Sequence, residues 1–292
     1  KLSCVPTFPI TAVTLKRHPG LIRELSRQGV EFAVHGYAHI DYSMLTLEEQ
    51  VEHFQKAIHT FEKCQVPFTG FRAPFIRVNE QTYQAVSNLG FSYDSSQVVH
   101  WDVLKKAKYA HHLWSEYQRI IDFYSSRRAQ DYLVLPRSID GIVEIPISLP
   151  DDEIIVERLG ITDGKEMSRI WRDILDRAYC SGEFFVIQLH PERILCCESA
   201  LIDVVQQARR FNPPVWVTTL KDIAAWWKER EKFRLEMNSE GNGRYRVRAN
   251  CSDRATVLLK SCKVNVPVNA WADGYQSVEA RDFVVESPVR PV

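Results

Sequence analysis

Apolar positions along the chain switch between helical and strand-like spacing, and the switching predicts an α/β fold. Cys4 to Ile10 is short, apolar and β-prone. His18 to Gln28 has helical spacing and stops at Gly29, and Val30 to Val34 reads as a buried strand running into His35. Thr46 with Glu49 three residues on forms a capping box for a helix to Cys64, and Val51, Phe54, Ile58 and Phe61 share one of its faces. Phe68 to Arg72 reads as a short strand, and Glu80 to Leu89 as a helix stopped by Gly90. Gln97 to Arg137 reads as a long loop. Ile142 to Leu149 is a strand that ends at Pro150-Asp151-Asp152, and Lys165 to Tyr179 is a helix. Phe184 to Leu189 is an unbroken apolar run, which predicts a strand buried on both faces and ending at His190. Glu198 to Phe211, Val215 to Thr218 and Leu220 to Lys232 continue the rhythm as helix, strand and helix.

Near Lys232 the rhythm changes to short alternating segments, Tyr245 to Arg248, Ala255 to Lys260 and Lys263 to Val268, with Asn242-Gly243 as a turn signal. Two domains are therefore expected, residues 1–231 and a β-rich module over 232–292. At about 60 residues that module is near the lower limit for folding alone.

Composition narrows the picture. Apolar residues make up 45% of the 292 and charged residues 25%, the balance of an ordinary folded protein. The formal net charge is zero, so no field favours nucleic acid or an anionic membrane. No apolar run approaches the roughly 20 residues that span a bilayer. The seven cysteines include no C-x-x-C pair, and Cys196 and Cys197 are adjacent. They read as reduced packing residues of a cytoplasmic protein. The first residues carry no apolar signal-peptide core and no initiator Met, which reads as a processed or trimmed chain. Oligomeric state is not legible.

Polar residues of chemical interest fall just after strands, the edge where α/β folds build sites. His35 and His39 can meet one metal if the backbone between them turns helically, or are two histidines of a polar loop. Asp41 is placed to orient one imidazole from behind. Arg72, in Arg72-Ala73-Pro74-Phe75, can hold a carboxylate through two hydrogen bonds, or is a surface arginine before a turn. His190, in Leu189-His190-Pro191, is either a general acid or base or a cap on the sheet. Asp151 or Asp152 can pair with His190 and raise its pKa, or form a solvated turn.

Taken together, these segments resemble the polysaccharide deacetylases of the NodB-homology type, over roughly Val5 to Trp227. The family's two-histidine metal motif matches His35 and His39. Its Arg-x-Pro-aromatic groove motif matches Arg72, Pro74 and Phe75, with Phe75 in place of the usual Tyr. Its late Leu-His motif matches Leu189 and His190, and Gly90 to Ser96 looks like the segment that follows the groove motif. The family's first motif, a Thr-Phe-Asp-Asp strand supplying the base and a third metal ligand, has no match before His35. Asp151 or Asp152 stands for the fourth motif's aspartate.

The resemblance implies a distorted (β/α) barrel, here expected to lack its N-terminal strand, followed by the small all-β module. It implies removal of acetyl groups, N-acetyl before O-acetyl, from a polysaccharide or oligosaccharide by a metal-dependent hydrolase. Zinc would be held by His35 and His39, weakly if the third ligand is missing. Arg72 would position the base, His190 would protonate the leaving amine and the backbone near Phe75 would hold the oxyanion. The chain as it stands is expected to turn over little, unless a carboxylate such as Asp41 or Asp94 substitutes. Two other classes remain open. One is a carbohydrate-binding or scaffold protein, with Trp101, Trp114 and Tyr117 stacking on sugars or packing in the core. The other is a small-amide hydrolase on the same scaffold.

Overall fold

Strand β1 (Thr7–Ile10) pairs in parallel with β2 (Glu31–Val34), from Thr7 opposite Glu31 to Ile10 opposite Val34. Two helices join them, α1 (Ala12–Arg17), capped by the Thr11 side chain, and α2 (Pro19–Arg27). The sequence pattern predicts only the second. Pro19 lacks an N–H and sits in the first turn of α2, so one helix ends and another begins at His18. Helix α3 (Leu47–Lys63) starts with the Thr46–Glu49 capping box and buries Phe54, Ala57 and Phe61. Strand β3 (Gly70–Phe71), helix α4 (Glu80–Asn88) and strand β4 (Tyr93–Asp94) follow.

The Gln97–Arg137 stretch is not a loop. It holds β5 (Val98–His100), α5 (His111–Phe123), β6 (Arg127–Arg128) and the start of β7 (Arg137–Ile139). Trp101 and Tyr117 are buried there. Trp101 donates to Ser148 Oγ, and Trp114 packs against the Tyr117 cluster, so these aromatics serve packing. The Ile142–Leu149 strand is in fact two, β8 (Ile142–Glu144) and β9 (Ile147–Leu149). Pro146 between them has no N–H to donate, which interrupts the ladder where the chain leaves one sheet for the next.

This computed structural model describes residues 2–271 and 274–286. Its main sheet has the order β1-β2-β3-β4-β8-β7, parallel from β1 to β8, with β7 antiparallel. A second, parallel sheet has the order β6-β5-β9. The chain passes from the first sheet to the second twice, after β4 and after β8. Helices α6 (Gly164–Ser181), α7 (Ile194–Arg210) and α8 (Leu220–Glu231) complete the alternation.

Two expected strands are absent from the described sheets. Phe184 to Leu189 is only half-buried. It makes isolated bonds, Phe184 N–H to the Val134 carbonyl and Ser148 N–H to the Val186 carbonyl, in place of a ladder. Val215 to Thr218 likewise lies in none of the described sheets, and Val215 N–H donates to the Ala208 carbonyl. Apolar content marked both as interior chain; pairing needs partners that periodicity does not reveal.

Contacts divide the chain into two units, Lys1–Ala224 and Ala225–Val292. The first unit is cored by Phe54, Phe61, Phe71 and Phe91 on the α3–α4 side, and by Trp171, Ile170 and Ile174 under α6 and α7. The second has strands β10 (Arg234–Gly241), β11 (Arg244–Asn250), β12 (Val257–Lys260), β13 (Lys263–Val264), β14 (Asn269–Ala270), β15 (Tyr275–Val278) and β16 (Asp282–Glu286). They form sheets β10-β11-β16-β13 and β12-β15-β14 around Val247, Val278 and Phe283. Asn242 and Gly243 turn the β10–β11 hairpin with φ of 51° and 75°, the two positive angles of a type I′ turn. Residues 272–273 and 287–292 of the expected β module lie outside the described residues.

Candidate active site

His35 follows β2 directly, and its N–H extends the ladder to the Ile10 carbonyl at 2.9 Å. Its Nδ1 lies 2.7 Å from the Arg72 carbonyl. A carbonyl only accepts, so Nδ1 carries the hydrogen and Nε2 keeps its lone pair. Burial pushes the His35 pKa down to about 3, and the nearby His39, Arg72 and His190 push the same way, against the Arg72 hydrogen bond. The His39 ring lies 5.1 Å from that of His35 and 4.5 Å from that of Phe75, both edge-on. Its pKa is lowered too, by burial first, with the charge of His190 adding to it. Both imidazoles are therefore held neutral, the form that ligates metal. Gly36 between them takes φ of 78°, and a Cβ there would meet Tyr42 Oη at 2.9 Å.

Asp41 does not stand behind either imidazole. It caps the turn at Tyr42, accepting from Ser43 N–H at 3.0 Å and Ser43 Oγ at 2.6 Å, and pairs with Arg77 at 3.3 Å. The group that orients His35 is a backbone carbonyl, which no side-chain pattern advertises.

Arg72 leaves β3 into the interior and is buried. It donates from Nε to the Ser95 carbonyl at 2.8 Å and from Nη2 to Ser95 Oγ at 2.7 Å. The next residue, Ala73, donates its N–H to Ser96 Oγ at 2.9 Å, and Ser96 Oγ donates to Asp94 at 2.8 Å. Pro74 is buried, and Phe75 beside it is 44% exposed with left-handed φ and ψ of 57° and 10°. That strained backbone stands against His39, a position where strain usually serves a site. Sequence reasoning missed Ser95, Ser96 and Glu144 as part of this arrangement. The signal was present: Glu144 is a lone carboxylate inside Ile142-Val143-Glu144-Ile145, and such a residue is rarely buried without a partner.

His190 and the Asp151-Asp152 pair meet across 38 residues of chain. Asp152, fully buried, gives one oxygen to His190 Nδ1 at 2.7 Å and accepts the His190 N–H with the other at 2.6 Å. The hydrogen bond from Asp152 raises the His190 pKa, outweighing the effect of burial. Asp151 instead accepts from Ile154 N–H at 3.0 Å and Gln188 Nε2 at 3.1 Å, and burial pushes its pKa up to about 6. Trp171 Nε1 donates to the Pro150 carbonyl at 3.0 Å and pins the turn that carries both. Leu189 is half-buried and packs with the Trp171 cluster.

The ligand atoms of Asp151, Asp152 and His190 all lie within 4.8 Å of one another, a set that could hold a metal ion. Among the described residues, no third His, Cys, Asp or Glu joins His35 and His39 at that spacing. All four oxygens of the Asp151-Asp152 pair already accept a hydrogen bond, and His190 Nδ1 is taken by Asp152. The paired His35 and His39, neutral and with the His35 Nε2 free, fit a metal better.

The polysaccharide deacetylase family profile matches residues 4–93. That match covers 90 of the 292 residues, and over it the chain is similar to polysaccharide deacetylases. Among individual proteins, the chain is 24% identical over 242 residues to the peptidoglycan deacetylase-like protein FGM2 of Gibberella zeae, covering 75% of this chain and 69% of that one. Its fold is that of two crystal structures assigned as polysaccharide deacetylases. The Mycobacterium smegmatis protein has a TM-score of 0.60 and 22% identity over 79% of this chain and 74% of its own. The Pseudomonas aeruginosa PAO1 protein has a TM-score of 0.59 and 23% identity over 79% and 70%.

Proposed function

We propose that this protein removes acetyl groups, N-acetyl first, from a polysaccharide or oligosaccharide, with a divalent metal, zinc by preference, held weakly at His35 and His39, so that turnover by this chain is slow. The observation that carries this reading is the meeting of two imidazoles whose pKa values are lowered with a third, His190, whose pKa the Asp152 hydrogen bond raises. His190 is near enough to lower the pKa of both the others. Zinc bound there would polarise the acetyl carbonyl and acidify water. His190, with Nδ1 committed to Asp152, has Nε2 left to deliver a proton to the departing sugar nitrogen, which cannot leave as an anion. The Arg72 carbonyl fixes the His35 ring, and Phe75 gives the acetylated ring an exposed aromatic edge.

The test is acetate release from N-acetylated oligosaccharides by metal-stripped protein with zinc restored, beside His39→Ala and His190→Ala. Zinc-dependent release, lost in both variants, is expected. Release that ignores zinc removal, or survives His39→Ala, overturns the reading.

A further inference from the structure

Asp94 and Glu144 sit directly opposite each other on adjacent parallel strands, β4 and β8, and are 0% and 1% exposed. One oxygen of each is accounted for. Asp94 Oδ1 accepts from Ser96 Oγ at 2.8 Å, and Glu144 Oε1 accepts from Gln97 N–H at 2.8 Å. The other oxygens, Asp94 Oδ2 and Glu144 Oε2, are buried and have no donor. The two side chains nevertheless lie within hydrogen-bonding reach of each other. Two buried carboxylates in reach of each other, each with an oxygen that lacks a donor, are satisfied together by a proton between them.

The surrounding charges agree. Arg72 from β3 and Tyr83 on α4 lie within electrostatic reach of both, Tyr93 of Asp94 and Tyr132 of Glu144; Glu31 from β2 lies within reach of Arg72, and Arg137 within reach of Tyr83 and Tyr132. Two ionised carboxylates beside Glu31 would set three negative charges against the single buried guanidinium. Burial raises the pKa of both groups, and the charge of Asp94 raises that of Glu144 further.

We propose that Asp94 and Glu144 share one proton and act as the positioning pair for Arg72 and the Ala73 N–H. The pair fixes the Ser95–Gln97 turn from both ends. That turn supplies the two acceptors of Arg72 and, through Ser96 Oγ, the acceptor of Ala73 N–H. Arg72 in turn presents the carbonyl that holds His35. The link to turnover rests on the deacetylase reading; the shared proton does not.

The first measurement is an infrared difference spectrum at neutral pH between the wild type and D94N/E144Q. A protonated-carboxyl stretch present in the wild type and absent from the double variant is expected. Its absence from the wild type overturns the shared proton. The second is hydrogen exchange at Arg72 Nε–H and Ala73 N–H, with acetate release followed in parallel. Glu144→Gln, whose amide can donate to Asp94, should keep both hydrogens protected. Glu144→Ala should lose that protection and lower kcat by tenfold or more with KM little changed. Should Glu144→Ala fail to fold, Ser96→Ala, which cuts only the link, should deprotect Ala73 N–H. Protection and turnover retained in Glu144→Ala, or protection retained in Ser96→Ala, overturn the positioning role. A wild type that releases no acetate removes the deacetylase reading and leaves the exchange result to decide.

Discussion

Asp152 gives both oxygens to His190, and its neighbour Asp151 gives neither. Replacing Asp152 by Asn keeps the shape but removes the charge that holds the His190 proton. The His190 pKa then falls, and a step that needs the protonated imidazole fails at lower pH. For Asp152→Asn the alkaline limb of kcat/KM should move to lower pH, with kcat down on the order of a hundredfold. A pH–rate profile checks this, and an unmoved limb refutes it. Asp151 behaves the other way. Its folded pKa, about 6, lies above the ordinary 3.8, so the fold prefers the protonated acid. Stability from that group is whole below pH 3.8, drains away between 3.8 and about 6, and stays lost above. Asp151→Asn should therefore match the wild type at pH 3.5 and exceed it at pH 7, by about 3 kcal/mol at most. The new amide can donate to Gln188 Oε1, now buried without a partner. Urea melts at both pH values decide it; a gain equal at the two would show that titration is not the cause.

Elements carry the site because strand ends coincide. His35 follows β2, Arg72 follows β3, Ser95 follows β4 and Asp151-Asp152 follow β9, on strands running the same way in each sheet. Gly70 sets how closely β3 and β4 approach. A Cβ there would lie 1.9 Å from the Tyr93 ring, whose hydroxyl is held by Glu31 at 2.6 Å and cannot swing aside. Gly70→Ala should cost about 1–3 kcal/mol or more by overpacking and should loosen Arg72 with it. A thermal melt unchanged by the substitution would refute that. The same elements show what the sequence could tell. Helix α3 was legible because a capping box and an apolar face agree, and the β10–β11 turn because Asn-Gly has few other uses. Helix α5 was not, because His111-His112 and scattered aromatics hide its face. Phe184 to Leu189 looked like a core strand because apolarity reports burial and says nothing of a hydrogen-bonding partner. At the candidate site, His35, His39, Arg72 and His190 could be singled out because each sits in a motif of its own. The Asp94–Glu144 contact was not, since it depends on register between strands some 50 residues apart.

For the whole molecule, a metal held as proposed would link binding to folding. A ligand that binds only the folded chain stabilises it by about 2.7 kcal/mol when present at ~100 times its Kd. Zinc should therefore raise the melting temperature, and a chelator should reverse the rise. Protons compete for the same imidazole nitrogens. With His35 held near a pKa of 3 and His39 below its ordinary value, that competition begins at lower pH than for free histidines. The zinc-induced shift should then persist from pH 8 to below pH 6. The site of binding follows from two variants. If His35 and His39 hold the ion, His39→Ala abolishes the shift and Asp152→Asn leaves it. If the Asp151, Asp152 and His190 set holds it, the pattern reverses, because removing the Asp152 charge costs that set a ligand while His39 contributes nothing. Calorimetric scans of the three proteins, with zinc and with chelator, separate the two, and a shift kept by both variants would place the ion at neither.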